Sequence, residues 1–418
     1  MADQATIEKP EGSQMKILVT GGAGFIGSHV CEALLRRGDK VVVVDEMNDY
    51  YDLRLKHYNL SILKSSYDSD KLVVYNGDIC DDSFLDNIFQ KEALTHIIHL
   101  AARAGVRPSI HDPSLYVRTN VDGTSKLLDL ARKFDIKNFV FASSSSVYGG
   151  SLKSVLSETD VVSKPVSPYA ATKITCELLA FTFHHLYGLN ATGLRFFTVY
   201  GPRGRPDMAP FKFIDRITRG RSIQQFGDGT TSRDYTYISD IVDGVVRAVD
   251  TPLGYEILNL GNGKPFELSK FIGIVEKAVG REAIIELLPN QPGDVDRTCA
   301  NIDRARELLG YDPKVSFEDG ITRTVDWYKF FFSVIFPGGT VGNQVSSESP
   351  IGNPFEDIAG SQDDDLEISS NVVKASCQLR SRRSRLNLKI LGGPIDEEKA
   401  ADLCSDTDDI EASHRSSI

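Results

Sequence analysis

The chain lacks any pairing pattern among its cysteines. Its six cysteines (31, 80, 176, 299, 377 and 404) are scattered over 418 residues with no C-x-x-C spacing, and four of them lie in segments that read as helix or strand. That excludes a disulfide framework and gives no metal-ligand spacing. Free thiols in a reducing compartment, by default the cytoplasm, are expected. Long apolar runs are missing as well. FFFSVIF (330–336) falls far short of the roughly 20 residues a membrane-crossing helix needs and reads as the end of a helix packed on a core. The opening MADQATIEKPEGSQ is polar and holds no apolar stretch of the secretory kind. Excess positive charge is also absent. A formal net charge of −11 speaks against non-specific nucleic-acid binding. Length and ordinary hydrophobic content leave a globular chain of two or three domains.

Residues 15–200 alternate strand-like and helix-like segments. KILVT (16–20), VVVVD (41–45), LVVY (72–75), HIIHL (96–100), NFVFAS (138–143) and ATGLRFF (191–197) are apolar runs rich in β-branched and aromatic residues. Several are apolar throughout, as strands covered on both faces are. Helix-length stretches such as GSHVCEALLRRG (27–38) lie between them, so the order predicts an α/β fold, a Rossmann-like doubly wound parallel sheet. Beyond residue 200 the segments become turn-rich. A smaller, partly interleaved substrate domain is expected over 201–337, with a strand near 255–261 returning to the first sheet. Residues 1–14 and 338–418 read as disordered. The latter hold fifteen acidic against eight basic residues and too little apolar surface to offset ordering entropy. LRSRRSRLNLK (379–389) within that tail is either a docking patch or a solvated run.

In KILVTGGAGFIGSHV (16–30) a strand, a glycine turn and a helix start follow one another. Gly22, Gly24 and Gly27 satisfy G-x-G-x-x-G, and Gly21, Gly24 and Gly27 satisfy the G-x-x-G-x-x-G variant. Such glycines let the backbone approach a pyrophosphate, while the helix start offers N–H groups and a positive dipole end. Asp45 closes the next strand, where a carboxylate accepts ribose hydroxyls and repels a 2′-phosphate, favouring NAD. Asp78 and Ile79 follow the third strand, and HLAARAG (99–105), with Ala101 and Ala102, follows the fourth. Both sit where open α/β sheets bind ligands. Asp78 serves equally well as a cap for the next helix.

Tyr169 and Lys173 stand one helical turn apart in SPYAATK (167–173), so their side chains share a face. They form either a solvated surface pair or a device that favours a phenolate, since an ammonium stabilises the charged form of a neighbouring phenol. The serine-rich SSSSVYGG (143–150) ends the fifth strand at the same edge of the sheet.

Serine loop, Tyr-x-x-x-Lys helix and glycine turn together resemble the extended short-chain dehydrogenase/reductase superfamily, in its branch of nucleotide-sugar epimerases and dehydratases, over about residues 15–330. The resemblance implies bound NAD, a UDP-sugar substrate and a homodimer paired through the Tyr/Lys helix. It makes Tyr169 the base, Lys173 its partner on the nicotinamide ribose and Ser144 the third catalytic residue, with Ser145 and Ser146 as alternates. It adds Phe25, Ile26 and Asn120 to the cofactor contacts, although Asn120 reads also as a helix-capping amide. Dehydratases of this kind carry Asp-Glu before the Val-Tyr-Gly, and the related decarboxylases a Glu. Here Ser145 and Ser146 precede Val147, which leaves 4-epimerisation. RFFTVYGPRGRPDMAPFKF (195–213) is similar to the UDP-glucuronate 4-epimerase branch, with Thr198 and Gly204–Met208 in place but Arg203 where an aromatic is usual. By that resemblance Thr198, Arg205 and Met208 meet the sugar, Arg205 taking the C5 carboxylate. Ser145 joins them, Phe226 stacks on uracil, Arg233 pairs with a phosphate and Asp294 meets a ribose hydroxyl. A Pro/Gly turn with solvated arginines is the plain alternative for GPRGRPD. A neutral-sugar 4-epimerase, a decarboxylase and a non-catalytic NAD-binding regulator remain as alternative functions.

Overall fold

Strands apolar on both faces need helices on both, and the chain provides them. The computed structural model describes residues 15–289 and 297–335. Asp294, the 1–14 segment and the 338–418 tail, on which expectations were placed, lie outside the described residues. In chain order the strands are β1 (Lys16–Thr20), β2 (Lys40–Asp45), β3 (Leu72–Asn76), β4 (His96–His99), β5 (Asn138–Ser144), β6 (Ala191–Phe196), β7 (Thr198–Tyr200), β8 (Ser222–Phe226), β9 (Ser232–Tyr237), β10 (Tyr255–Leu260), β11 (Pro265–Glu267) and β12 (Ile284–Leu288).

Seven of them form one parallel sheet in the order β10-β6-β5-β4-β1-β2-β3. The period-two alternation splits its side chains between two cores. Ile17, Val19, Val41, Val43, Ile98 and Val140 pack on one side. Leu18, Val42, Val44, Ile97, Phe139 and Phe141 pack on the other. Order and cover are those of a Rossmann-like doubly wound fold, whose ligands bind beyond the carboxyl ends of the strands.

The remaining strands make a three-stranded sheet, β11-β9-β7, and a parallel pair, β12-β8. The apolar run 191–197, read from sequence as one strand, divides at Phe197. β6 stays in the main sheet, and β7 pairs with β9 in the second one. β10 returns to the main sheet beside β6. The interleaving goes further than that strand, because helix Ile238–Asp250 packs on the first helix and on β5. Asn138 at the start of β5 donates to the carbonyls of Ala248 and Val249 at its end. The last described helix, Phe317–Ile335, buries Phe317, Ile321, Val325, Tyr328 and Phe331 at helical spacing. Phe317 stacks on Phe266 within a cluster that also holds Tyr235 and Phe271.

One buried polar link ties the long helix Pro168–Tyr187 to the sheet. Glu177 accepts from Ser143 Oγ on β5 (2.5 Å) and takes Arg195 of β6 in a two-point pair (2.9 and 2.7 Å). Both charged side chains are almost wholly buried, where losing one partner of such a pair costs about 3–5 kcal/mol. Cys31, Cys80, Cys176 and Cys299 are free thiols. Among the described residues no helix is long and apolar enough to cross a membrane.

Candidate active site

The carboxyl ends of β1, β2, β4 and β5 open onto a cleft of about 380 Å³. Its floor begins at the turn after β1. Gly21 sits at φ +70°, and a Cβ there would lie 2.8 Å from the backbone nitrogen of Ala101. A Cβ on Gly27 would lie 2.1 Å from Gly21 O. Glycine is therefore required by contact as well as by conformation. The helix that follows is Phe25–Arg37, two residues longer at its start than the sequence reading from Gly27. Gly24 takes the N-cap position with no side-chain cap and no acidic residue in the first turn. Its leading N–H groups and dipole thus face the cleft uncompensated by side chains. Gly21, Gly24, Phe25, Ile26 and Gly27 all line the cleft.

Asp45 lines it too and braces the turn. Its Oδ2 accepts from Ala23 N (3.1 Å) and its Oδ1 from Met47 N (2.9 Å). Lys56 lies buried with its Nζ 3.4 Å from Asp45 Oδ1. A glycine cradle, an open helix start and a fixed carboxylate together suit a dinucleotide's pyrophosphate and ribose. Asp78 and Ile79 are on the wall. Asp78 pairs with Arg118 (2.5 Å) and accepts from Cys80 N. Burial pushes its carboxyl up, but these donors outweigh it and hold it below the usual range. The helix cap is Asp81, which accepts from Phe84 N, and not Asp78.

Ala101 and Ala102 line the cleft and Asn120 does not. Asn120 lies fully buried in a π-helical turn, Val117–Asp122. Its amide accepts from Arg103 N and donates to Arg103 O and Thr172 Oγ1. Both ends being used, it holds the loop after β4 to the Tyr/Lys helix. The expected direct cofactor contact is corrected to that bracing position, and it is not a helix cap either.

Tyr169 and Lys173 reach the cleft together. Ser167 caps their helix by accepting from Ala170 N, and Pro168 fills the first turn. Lys173 is 4% exposed, and its Nζ donates to Ala142 O of β5 (2.9 Å). The same ammonium is 5.8 Å from the centre of the Tyr169 ring. Opposite them Ser144 caps the short helix Ser145–Tyr148, its Oγ accepting from Ser146 N and lying 3.1 Å from Ser146 Oγ. Ser145 and Ser146 also face the cleft, whereas the Ser143 hydroxyl is used by Glu177. Two neighbouring groups are unsuited to base chemistry. His99 is buried between Thr20 and Thr124, and burial, with Lys173 adding to it, lowers its pKa to about 3. Burial likewise pushes the Tyr116 phenol up, and its hydroxyl donates to Ala104 O.

Thr198, Arg205 and Met208 line the far end. Arg205 is not a solvated turn residue. It pairs with Asp207 through Nε (2.9 Å) and Nη2 (2.5 Å) and lies 5.5 Å from the Tyr50 ring centre. Arg203, at φ +62°, turns away from the cleft to the first helix, where its Nη2 is 2.6 Å from Glu32 Oε2. That partly buried pair holds a backbone conformation costly for a side chain with a Cβ. Phe226 and Arg233 are not on the cleft wall. Phe226, at the end of β8, lies under the guanidinium of Arg107, and Arg233 donates to Ser232 O. They lie beyond the described wall of the cleft, past Arg107.

Comparison with known proteins agrees with this geometry. The family model described as GDP-mannose 4,6 dehydratase matches residues 18–324. A UDP-glucuronate 4-epimerase of Thermodesulfobacterium geofontis is 47% identical over 75% of this chain and 95% of its own length. The solved UDP-glucuronic acid 4-epimerase of Bacillus cereus, in complex with UDP-glucuronic acid and NAD, superposes with a TM-score of 0.70 at 36% identity, covering 76% of this chain and all of that one. The UDP-glucose 4-epimerase of Thermotoga maritima with UDP-glucose also gives 0.70, at 32% identity and the same coverage.

The Glu32–Arg203 pair generates a pH prediction. Burial raises the Glu32 pKa, but Arg203, then His29, overcome it and bring it down to about 2. A depressed carboxylate contributes stability that is fully present above its unfolded value near 4.3 and is lost as pH falls through the folded value. Glu32→Gln is therefore expected to lower the urea midpoint at pH 7 and to converge on the parent protein as pH approaches 2. A difference that stays constant between pH 7 and pH 2 would show that the ion pair contributes nothing.

Proposed function

The chain belongs to the family described as GDP-mannose 4,6 dehydratase, within the extended short-chain dehydrogenases/reductases, and on that premise we propose that it catalyses NAD-dependent 4-epimerisation of UDP-glucuronate to UDP-galacturonate. The observation that carries this reading is the meeting of Tyr169, Lys173 and the serine turn 144–146 at one end of a cleft whose wall carboxylates lie at the other, while Asp207, behind the sugar end, is engaged by Arg205. Asp45, Glu46 and Asp78 are the acidic residues on its described wall, Asp45 ending β2 and the other two lying just beyond β2 and β3. Dehydration needs an acid and a base at the sugar end, and Ser145 and Ser146 occupy the places before Val147.

NAD, when bound, supplies the acceptor that takes a hydride from the sugar's C4 and returns it to the opposite face. The turn Gly21–Gly27 would hold its pyrophosphate and Asp45 a ribose. Tyr169 accepts the proton of the C4 hydroxyl. Lys173 stabilises the negative charge on that phenol, and Ser144 orients the hydroxyl by a hydrogen bond. Thr198 and Arg205 receive the C5 carboxylate, for which a guanidinium offers a two-point, charge-assisted fork. Met208 packs beside them. The nucleotide extends past Arg107 towards Phe226 and Arg233. Similarity to UDP-glucuronate epimerases at 47% and 36% identity supports this choice of sugar.

Incubation of the protein with UDP-glucuronate, followed by NMR of the product, tests the reading. The expected product is the C4 epimer, and Tyr169→Phe is expected to lower its formation by about 10²–10⁴-fold with NAD still bound. A pentose product, turnover of UDP-glucose alone, or undiminished activity in the variant would overturn it.

We also assign a homodimer, seated on the outer side of helix Pro168–Tyr187. Leu178 and Phe181 lie one turn apart there, with 62% and 49% of their surfaces exposed. An apolar strip on the back of a helix whose other side is already buried suits a second copy. Light scattering of the full chain is expected to give twice the monomer mass, falling to one in Leu178→Asp with Phe181→Asp. A monomeric parent protein would contradict the assignment.

A further inference from the structure

Arg205 faces the sugar end of the cleft with its fork already filled. Asp207, two residues on in the same loop, takes Nε and Nη2 together, the two-point geometry a free carboxylate would adopt. Arg205 is on the cleft wall and Asp207 is not. The Asp207 side chain is 35% exposed against 20% for Arg205. Asp207 also has support independent of Arg205. The Tyr50 hydroxyl donates to its Oδ2 at 3.4 Å, and the charge of Lys212 is felt at the same carboxylate. Burial pushes the Asp207 carboxyl up, yet Arg205 outweighs it and holds it below its usual range, so it is ionised at neutral pH.

We propose that Asp207 is an internal competitor at the substrate site, a tethered carboxylate that occupies the Arg205 fork in the absence of substrate, is displaced from it by the carboxylate of a uronate sugar, and so moderates the preference for uronates that Arg205 confers. The proposal rests on the reading of Arg205 given above. The physical reason is an exchange of like for like. A uronate replaces one charge-assisted pair with another, and Asp207 moves onto Tyr50, Lys212 and water. A neutral sugar presents only a hydroxymethyl group, which cannot match a charged two-point pair, so Arg205 stays with Asp207 and the sugar gains no contact. Because the competitor is tethered, its effective concentration at the fork is high. It therefore weakens uronate binding and leaves neutral sugars untouched. It also keeps an otherwise open guanidinium from holding stray anions.

The test is calorimetric titration of the NAD-loaded protein with UDP-glucuronate and with UDP-glucose. A Tyr169→Phe background prevents turnover, and Asp207→Asn, Asp207→Ser and Arg205→Ala are each added to it. Removing the Asp207 carboxylate is expected to tighten UDP-glucuronate several-fold and leave UDP-glucose unchanged. UDP-glucuronate binding that weakens, stays the same, or tightens in step with UDP-glucose would overturn the proposal. In those cases Asp207 only orients Arg205 or alters the general field. Arg205→Ala separates the underlying reading. It is expected to abolish the preference for the uronate, and a preference that survives it would remove Arg205 from the carboxylate site, whatever the Asp207 variants show.

Discussion

A buried ammonium must be met by acceptors or it destabilises the fold. Lys173 meets that condition through a main-chain carbonyl of β5, Ala142 O. The arrangement of the active end follows from this. β5 carries Ser144 at its tip, and the helix that carries Lys173 carries Tyr169 one turn earlier. Fixing the ammonium on the strand therefore fixes hydroxyl, phenol and positive charge relative to one another. Glu177, one turn beyond Lys173, repeats the tie by bonding Ser143 of β5 and Arg195 of β6. The spacing of these three groups is thus a property of the sheet and not of a loop, which suits the proposed proton transfer, during which the site must not reorganise.

The cleft has a polarity of its own. Its three acidic wall residues each have a basic partner, Lys56 for Asp45, Arg103 for Glu46 and Arg118 for Asp78. These pairs hold the carboxylates in place before any dinucleotide arrives. At the opposite end the cations are Lys173 and Arg205, one held by a carbonyl and the other by Asp207. Negative charge developing on a phenol, or brought in on a sugar acid, therefore enters the positive end. The loop between β7 and helix Ala209–Thr218 is anchored on the first helix by Arg203 and Glu32. The proposed substrate loop and cofactor helix consequently share one wall.

Much of this was legible in the residues. Uniformly apolar strands announced a covered parallel sheet, and Val41–Val44 are all fully buried in β2. The glycine turn, Asp45, and the Tyr169–Lys173 spacing each depend on local geometry, which sequence spacing reports faithfully. Features that depend on chain crossings were not legible. Lys56, in the first turn of helix Leu53–Ser66, meets Asp45 across the loop that follows β2. The φ of +62° at Arg203 sends its side chain to the first helix, and no motif records that sign. The bracing position of Asn120 is likewise invisible in RTNVDGT, because it depends on Thr172, 52 residues along the chain. Glu177 could have been found, since it follows Lys173 at helical spacing on a buried face. An acidic residue there had to have a basic partner.

The central claim is that the Lys173 ammonium serves the chemistry of Tyr169. It is tested most directly by measuring turnover of UDP-glucuronate in a Lys173→Met variant whose NAD content and unfolding midpoint are determined in the same preparation. A methionine fills the same volume without the charge. The account predicts a loss of about 10²–10⁴-fold in turnover in protein that is folded and still holds NAD. Turnover within a few-fold of the parent protein would contradict it.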